Sequence, residues 1–186
     1  MPRCWRGFGE KIRYLMIHEW ELAHHEPWDF AFKGKSALDA AHARSLDAEL
    51  AGLQGQAYAC VLWDLRAFFD TVMPAVLVRA ALAMDFHPRL LYCSLLVHLS
   101  PRVLDTQGYH STQPLLANNS IMAGLVDSVA FARAFMRGPV QRTRHRHPEA
   151  MPEVYVDDVA QGMAGTPQHI LSTLPVAACD LGADLV

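Results

Sequence analysis

The chain has 186 residues, of which 52% are hydrophobic and 19% are charged, and its formal net charge is −3. This composition favours one globular domain with a sizeable core, and the negative charge counts mildly against a nucleic-acid binder, which is usually basic. No apolar run is long enough to span a membrane, and the N-terminus has no apolar signal core. We therefore expect an intracellular protein, in the nucleus or the cytoplasm, that is neither secreted nor bound to a membrane.

The N-terminal third is predicted to be helical. Apolar spacing predicts one helix over 10–25, which Pro27 ends, and a stronger helix over 36–53. Ser36 followed three residues later by Asp39 is typical of a helix start, because the two side chains can satisfy free backbone N–H groups.

The middle of the chain begins with a strand. The short apolar run 58–63, bounded by Gly and Gln, predicts a buried strand that ends at Asp64. Prolines then open two predicted helices, over 74–84 and 88–99. A short hairpin is predicted around Gly108.

The C-terminal half contains a loop with Gly124, followed by a predicted helix that ends at Gly138-Pro139. The basic stretch 142–147 is predicted to be a loop that either contacts phosphates or is simply solvated. A hairpin follows, and Pro167 then starts a helix over 168–180.

The hairpin carries the most informative motif, Tyr155-Val156-Asp157-Asp158. Its β-branched residues favour extended backbone, so we expect a β-hairpin with both aspartates at the turn. Adjacent carboxylates repel each other unless a cation neutralises them, and Mg²⁺ prefers carboxylate oxygen. Asp64 can meet this pair from an adjacent strand of the same sheet. Three acids around two metal ions are what in-line phosphoryl transfer requires.

These two segments resemble the first and third palm motifs of reverse transcriptases. The third family motif is aromatic-x-Asp-Asp, which 155–158 matches. The first is a strand-end Asp followed by a few residues and then by Ala or Phe, an aromatic residue and Asp, and the chain matches it at Asp64, Phe68, Phe69 and Asp70. The position of Asp70 matches, but we predict a structural role for it, as a cap before the helix at Pro74.

Three further segments extend the resemblance over residues 3–182. The loop at Gly124, with Ser128 four residues later, resembles the second palm motif, although Ala123 replaces the usual Gln. The segment 32–40 resembles the Gly-Arg-Ser-x-x-Asp-Ala segment of retroelement fingers, and 4–8 faintly resembles the Trp-Arg-Pro-Ile segment that opens such domains. The order and spacing agree with non-LTR-type retroelements.

The resemblance implies an α+β fold, a polymerase palm with a small antiparallel sheet backed by helices. Residues 1–56 are expected to form partial fingers and 57–186 a C-terminally truncated palm. Because the chain stops at Val186, where the family continues, we expect the thumb to be absent and the chain to be a fragment.

The function that the resemblance implies is RNA-directed DNA polymerisation, the transfer of a nucleotide from a dNTP to the 3′-hydroxyl of a DNA primer on an RNA template. The expected cofactor is Mg²⁺ or Mn²⁺, and the catalytic and metal-binding residues carried over from the family are Asp64, Asp157 and Asp158. The ring of Phe69 would crowd a 2′-hydroxyl. Among the other substrate-binding residues, Gly124 would let the backbone approach the base pair, and Lys33 and Lys35 would hold the triphosphate.

Two alternatives remain. A catalytically inactive retroelement remnant would bind nucleic acid weakly at most, and an RNA-dependent RNA polymerase is less favoured because that group usually has Gly before Asp-Asp.

The four cysteines show no Cys-x-x-Cys spacing, so we expect free, mostly buried thiols. No oligomeric state is predicted.

Overall fold

The computed structural model describes residues 3–103, 105–106 and 108–185, with side chains from residue 13 onward. Within this part the chain is a mixed α+β protein with seven helices and two small antiparallel sheets. The elements are α1 (Arg3–Ala23), α2 (Ala37–Leu53), β1 (Ala57–Asp64), α3 (Phe68–Thr71), α4 (Pro74–Ala83), α5 (Pro88–His98), β2 (Asp105–Thr106), β3 (Tyr109–His110), α6 (Ser128–Arg146), β4 (Met151–Tyr155), β5 (Asp158–Gly165) and α7 (Pro167–Leu185). The mixed α+β class is therefore confirmed, whereas the assignment to a polymerase palm stays a prediction.

Local signals placed several elements correctly. The Ser36 hydroxyl accepts a hydrogen bond of 3.2 Å from the Asp39 N–H at the start of α2, as the capping pattern predicts. Prolines open α4 and α5 at positions where their missing N–H has no intrahelical partner. The side chains of the segment 4–8 lie outside the described residues.

The prediction that a helix ends at Gly138-Pro139 is wrong. Helix α6 passes through Pro139 and continues to Arg146, so the basic stretch predicted as a loop is helical. A proline inside a helix removes one backbone hydrogen bond. Two fully buried side chains on the following turn, Val140 and Thr143, show that tertiary packing holds this part of the helix in place.

Two smaller predictions are also corrected. Asp70 does not cap the helix at Pro74, because the N-cap of α4 is Met73 and no side chain caps it; Asp70 is exposed within the short helix α3. Of the cysteines whose side chains are described, Cys60, Cys93 and Cys179 are free as predicted, but only Cys60 is even partly buried. The other two lie in α5 and α7 and are exposed.

The chain packs into two compact units, each made of two stretches. The first combines residues 1–20 with 67–135, and the second combines 21–66 with 136–186. The predicted division into fingers and palm stays a prediction.

The second unit is built on the three-stranded sheet, whose strand order is β1-β5-β4 with both pairs antiparallel. One face packs on α7 through a core of Ala150, Met163, Ile170, Leu174 and Ala177. Because side chains alternate across a strand, Glu153 lies on the opposite face, where it pairs with Arg44 of α2. Beyond β4, the segment 28–30 adds a short parallel bridge, with the Phe30 N–H donating to the Val154 carbonyl at 2.8 Å.

The first unit is mainly helical. Its buried apolar side chains include Val72, Leu77, Ala81, Phe86, Leu91 and Phe131. Trp20 joins this core, where its indole N–H donates to the Met84 carbonyl at 2.7 Å. None of the described helices is long and apolar enough to cross a lipid bilayer.

Candidate carboxylate site at the end of the sheet

Two of the predicted metal ligands are direct neighbours across two strands. The register of β1 and β5 places Asp64 opposite Asp158, at the end where β1 finishes and β5 begins. Opposed residues on one face have Cβ atoms about 4.5–5.5 Å apart, so the two carboxylates extend from neighbouring backbone positions. Both side chains are exposed. The expectation that a strand-end aspartate meets the hairpin in one antiparallel sheet is therefore confirmed.

The hairpin turn differs from the expected form. Only Asp157 lies in the two-residue turn with Val156, while Asp158 already opens β5 and pairs with both Tyr155 and Asp64. Val156 has a φ of 61°, which is rare for a β-branched residue because its Cβ crowds the backbone. Strain of this kind persists only where surrounding structure enforces it, and it clusters at functional sites.

The donor chemistry of this end of the sheet suits a hard divalent cation. Asp64, Asp157 and Asp158 offer only carboxylate oxygens, which Mg²⁺ and Mn²⁺ prefer. In the described part of the chain, however, no three or more His, Cys, Asp or Glu side chains converge in a group that could hold a metal ion. The register brings together Asp64 and Asp158, and the approach of Asp157 to them stays a prediction.

A cavity of about 200 Å³ opens beside Asp158. The start of α2, Arg44, Tyr155 and Leu62 contribute to its wall. The Arg44 guanidinium lies 3.0 Å from the Glu153 carboxylate in this wall. Burial raises the pKa of Glu153, although the hydrogen bond from Arg44 opposes that rise. No sequence motif points to Arg44, and only the folded chain brings it into the wall of the cavity that Asp158 also lines.

The two predicted phosphate-binding lysines have different surroundings. Lys35 donates to the Pro27 carbonyl at 3.3 Å and the Asp29 carbonyl at 3.2 Å, and its ammonium lies 4.7 Å from the centre of the Phe30 ring. These contacts close the loop that leads into α2. Lys33 is exposed. Lys33 is thus the more accessible of the two for an anionic ligand.

Phe69 and Gly124 belong to the other compact unit. The Phe69 carbonyl accepts a 2.8 Å hydrogen bond from the Ile121 N–H, so the backbone at Phe69 holds the start of the loop that carries Gly124. Gly124 has a φ of +83°, and a Cβ added there would meet open space. Backbone conformation, rather than crowding within the chain, therefore explains the glycine.

A larger cavity of about 420 Å³ lies in the second unit, with Trp28, Phe30 and Tyr58 in its wall and none of the predicted site residues. Burial raises the pKa of Tyr58 to about 12. The Tyr58 hydroxyl lies so close to Gly162 that a Cβ there would collide with it. The Tyr58 ring therefore covers Gly162 on this part of the sheet face, whereas Asp158 at the end of the sheet is exposed.

The basic stretch has acidic partners within its own unit. Arg142 lies 3.2 Å from Asp184, and Arg146 and His147 lie 3.2 and 2.8 Å from Asp180. The hydrogen bond from His147 is the main cause that lowers the pKa of Asp180. Three side chains that the sequence offered for phosphate contact thus already face carboxylates of α7.

Comparison of the chain with protein-family models, with curated proteins and with solved structures found no match. The resemblance to reverse transcriptases therefore rests on the motifs and on the placement of their residues.

Proposed function

We propose that the chain is the fingers–palm part of an RNA-directed DNA polymerase of a non-LTR-type retroelement. The observation that carries this proposal is the register of β1 and β5, which sets Asp64 directly opposite Asp158 beside the strained turn at Asp157. Two aspartates that lie 94 positions apart in the sequence thus supply acidic side chains to one end of one sheet. Like charges opposed across strands are unfavourable, so a cation-binding role gives this arrangement a physical reason.

Asp64 and Asp158, with Asp157 beside them, would hold Mg²⁺ or Mn²⁺. The bound ions would neutralise charge on the phosphates and activate the attacking 3′-hydroxyl of the primer. Because both opposed aspartates lie on hydrogen-bonded strands, their backbone positions are fixed before any ligand arrives.

The resemblance assigns substrate selection to Phe69 and Gly124. The ring of Phe69 would exclude a 2′-hydroxyl and so favour deoxynucleotides. Gly124 would let the backbone approach the nascent base pair, and its exposed position is consistent with such a role. Base pairing would read the RNA template, so the chain needs to recognise shape and backbone rather than sequence.

Metal binding tests the proposal first. Calorimetric titration with Mn²⁺ should show binding that weakens about tenfold in Asp158→Asn, because an amide keeps the shape and loses the charge. Asp105→Asn serves as the control, since Asp105 is an exposed aspartate in the other unit. Equal Mn²⁺ affinity in wild type and Asp158→Asn would remove Asp158 from the site.

Primer extension on an RNA template tests the chemistry. Any incorporation should favour dNTPs, should disappear in Asp64→Asn, and should extend to ribonucleotides in Phe69→Ala. An unchanged sugar preference in Phe69→Ala would contradict the assigned role of its ring.

The second candidate function is that of an inactive remnant with weak nucleic-acid binding. The pairing of Arg142, Arg146 and His147 with acids of α7 favours it, because cations engaged within the chain release fewer counterions on binding DNA or RNA. Mn²⁺ binding that depends on Asp158, without any nucleotide incorporation, would select this candidate.

A further inference from the structure

A buried histidine in the first unit connects three segments. The imidazole of His98, at the end of α5, accepts a hydrogen bond of 2.7 Å at Nδ1 from the Met122 N–H. Its Nε2 lies 3.0 Å from Oδ1 of Asp127, the residue before α6. The side chains of His98 and Asp127 are 0% and 3% exposed, so water does not compete for these bonds.

The two bonds select one protonation state of the imidazole. Since the Met122 N–H can only donate, Nδ1 must present its lone pair, and the ring proton must therefore sit on Nε2 and point at Asp127. Burial works against ionisation of Asp127, but the hydrogen bond with His98 opposes it, and the net result is a lowered pKa of this carboxyl. Asp127 is thus an ionised acceptor for the Nε2–H, while the lone pair that Nδ1 presents to the Met122 N–H keeps the ring in its neutral Nε2–H tautomer.

Met122 is the last anchored residue before Gly124. The preceding residues are held by backbone bonds, from the Ser120 N–H to Val72 at 3.1 Å and from the Ile121 N–H to Phe69 at 2.8 Å. After Met122, the segment 123–126 is partly or fully exposed until Asp127 is buried again. His98 therefore contacts both ends of this exposed segment, one through Nδ1 and the other through Nε2.

We propose that His98 is a positioning residue of the loop that carries Gly124, and that it acts through its neutral Nε2–H tautomer. The importance of this loop for polymerisation rests on the proposed function, whereas the anchoring is a property of the chain itself. A second proton on Nδ1 would point at the Met122 N–H and break that bond, so acid should release the loop.

Two charged groups lie against His98. One is the carboxylate of Asp127, at Nε2, and the other is the guanidinium of Arg102, which donates to the His98 carbonyl at 2.9 Å. The Phe131 ring packs on the imidazole with centroids 5.3 Å apart and adds no charge.

Imidazole ¹⁵N spectra of the 186-residue chain test the tautomer directly. At neutral pH, long-range ¹H–¹⁵N correlations should show His98 protonated at Nε2 and unprotonated at Nδ1. As the pH falls, second protonation should coincide with loss of hydrogen-exchange protection at the Met122 amide. The Ile121 amide is the internal control, because its acceptor is the Phe69 carbonyl and not the imidazole.

Two substitutions of His98 each keep one of its two side-chain hydrogen bonds, the one with Met122 or the one with Asp127. The Oδ1 of Asn can occupy the position of Nδ1, and the amide N–H of Gln can occupy that of Nε2–H. His98→Asn should keep the protection of the Met122 amide, whereas His98→Gln should lose it about fivefold to tenfold, the change expected for one hydrogen bond.

Each outcome decides the proposal. An Nδ1-protonated ring at neutral pH, or equal Met122 protection in His98→Asn and His98→Gln, would overturn it. If both variants fail to fold, the wild-type tautomer and its pH titration still decide. None of these readouts needs a metal or nucleic acid, so this proposal and the proposed polymerase function can fail separately.

Discussion

Asp127 and Asp158 are both aspartates at the start of a regular element, and their surroundings are opposite. Asp127 is 2% exposed and receives a hydrogen bond from His98, so the fold itself stabilises its charge. Asp158 is exposed and faces Asp64, a second negative charge. A carboxylate stabilised from within contributes to the fold, whereas one set against a like charge is better explained by a ligand from outside.

The largest expected effect is that of Asp127→Ala. Removing this carboxylate leaves the Nε2–H of the buried His98 without an acceptor, which should lower the free energy of unfolding by about 3 kcal/mol. Asp64→Ala, at an exposed position, should change it by less than about 0.5 kcal/mol. Urea unfolding of both variants measures the contrast. Equal losses would mean that the two regions do not differ in their contribution to stability.

Alkaline pH should distinguish the covered part of the sheet from its open end. Burial raises the pKa of Tyr58 to about 12, so the folded state holds this proton more tightly than the unfolded chain, where tyrosine titrates near pH 10. The resulting stability is complete below pH 10 and should be lost as the pH rises to about 12. Because Tyr58 is only half-buried, we expect a loss of about 1 kcal/mol after allowing for solvent screening.

Unfolding measured between pH 9 and pH 12 checks this prediction, with Tyr58→Phe as the control. The phenylalanine variant should lack this component of the pH dependence. If the free energy of unfolding changes with pH equally in the wild type and in Tyr58→Phe, the assignment of this effect to Tyr58 is contradicted.

The smallest expected effect is a gain in stability, whereas the preceding predictions are losses. Asp158→Asn should stabilise the metal-free chain by about 0.3–0.5 kcal/mol, because it removes a like-charge pair between β1 and β5. The gain should shrink at high salt, which screens exposed charges. Urea unfolding at low and high salt measures it. A loss of stability instead would show that Asp158 has a stabilising partner within the fold, as Oδ1 of Asp127 has in His98.

Short-range patterns predicted elements well where the deciding interactions are local. The cap at Ser36, the prolines that open α4 and α5, and the β-hairpin before α7 each depend on residues a few positions apart. Helix α6 was predicted too short, because Pro139 is a local stop signal while the packing of Val140 and Thr143 comes from distant parts of the chain. The exposure of Cys93 likewise depends on which side of α5 faces solvent.

The sequence by itself determined which acids lie at a strand end and in a hairpin. The spacing of hydrophobic residues and the identity of turn residues are short-range features of the sequence, and they specify these elements. Only the tertiary structure decided that Asp64 lies opposite Asp158, that Arg146 faces carboxylates of α7, and that His98 connects Met122 to Asp127. Each of these pairings joins residues from 24 to 94 positions apart. Their register and burial follow from how whole elements pack, and no local pattern specifies that packing.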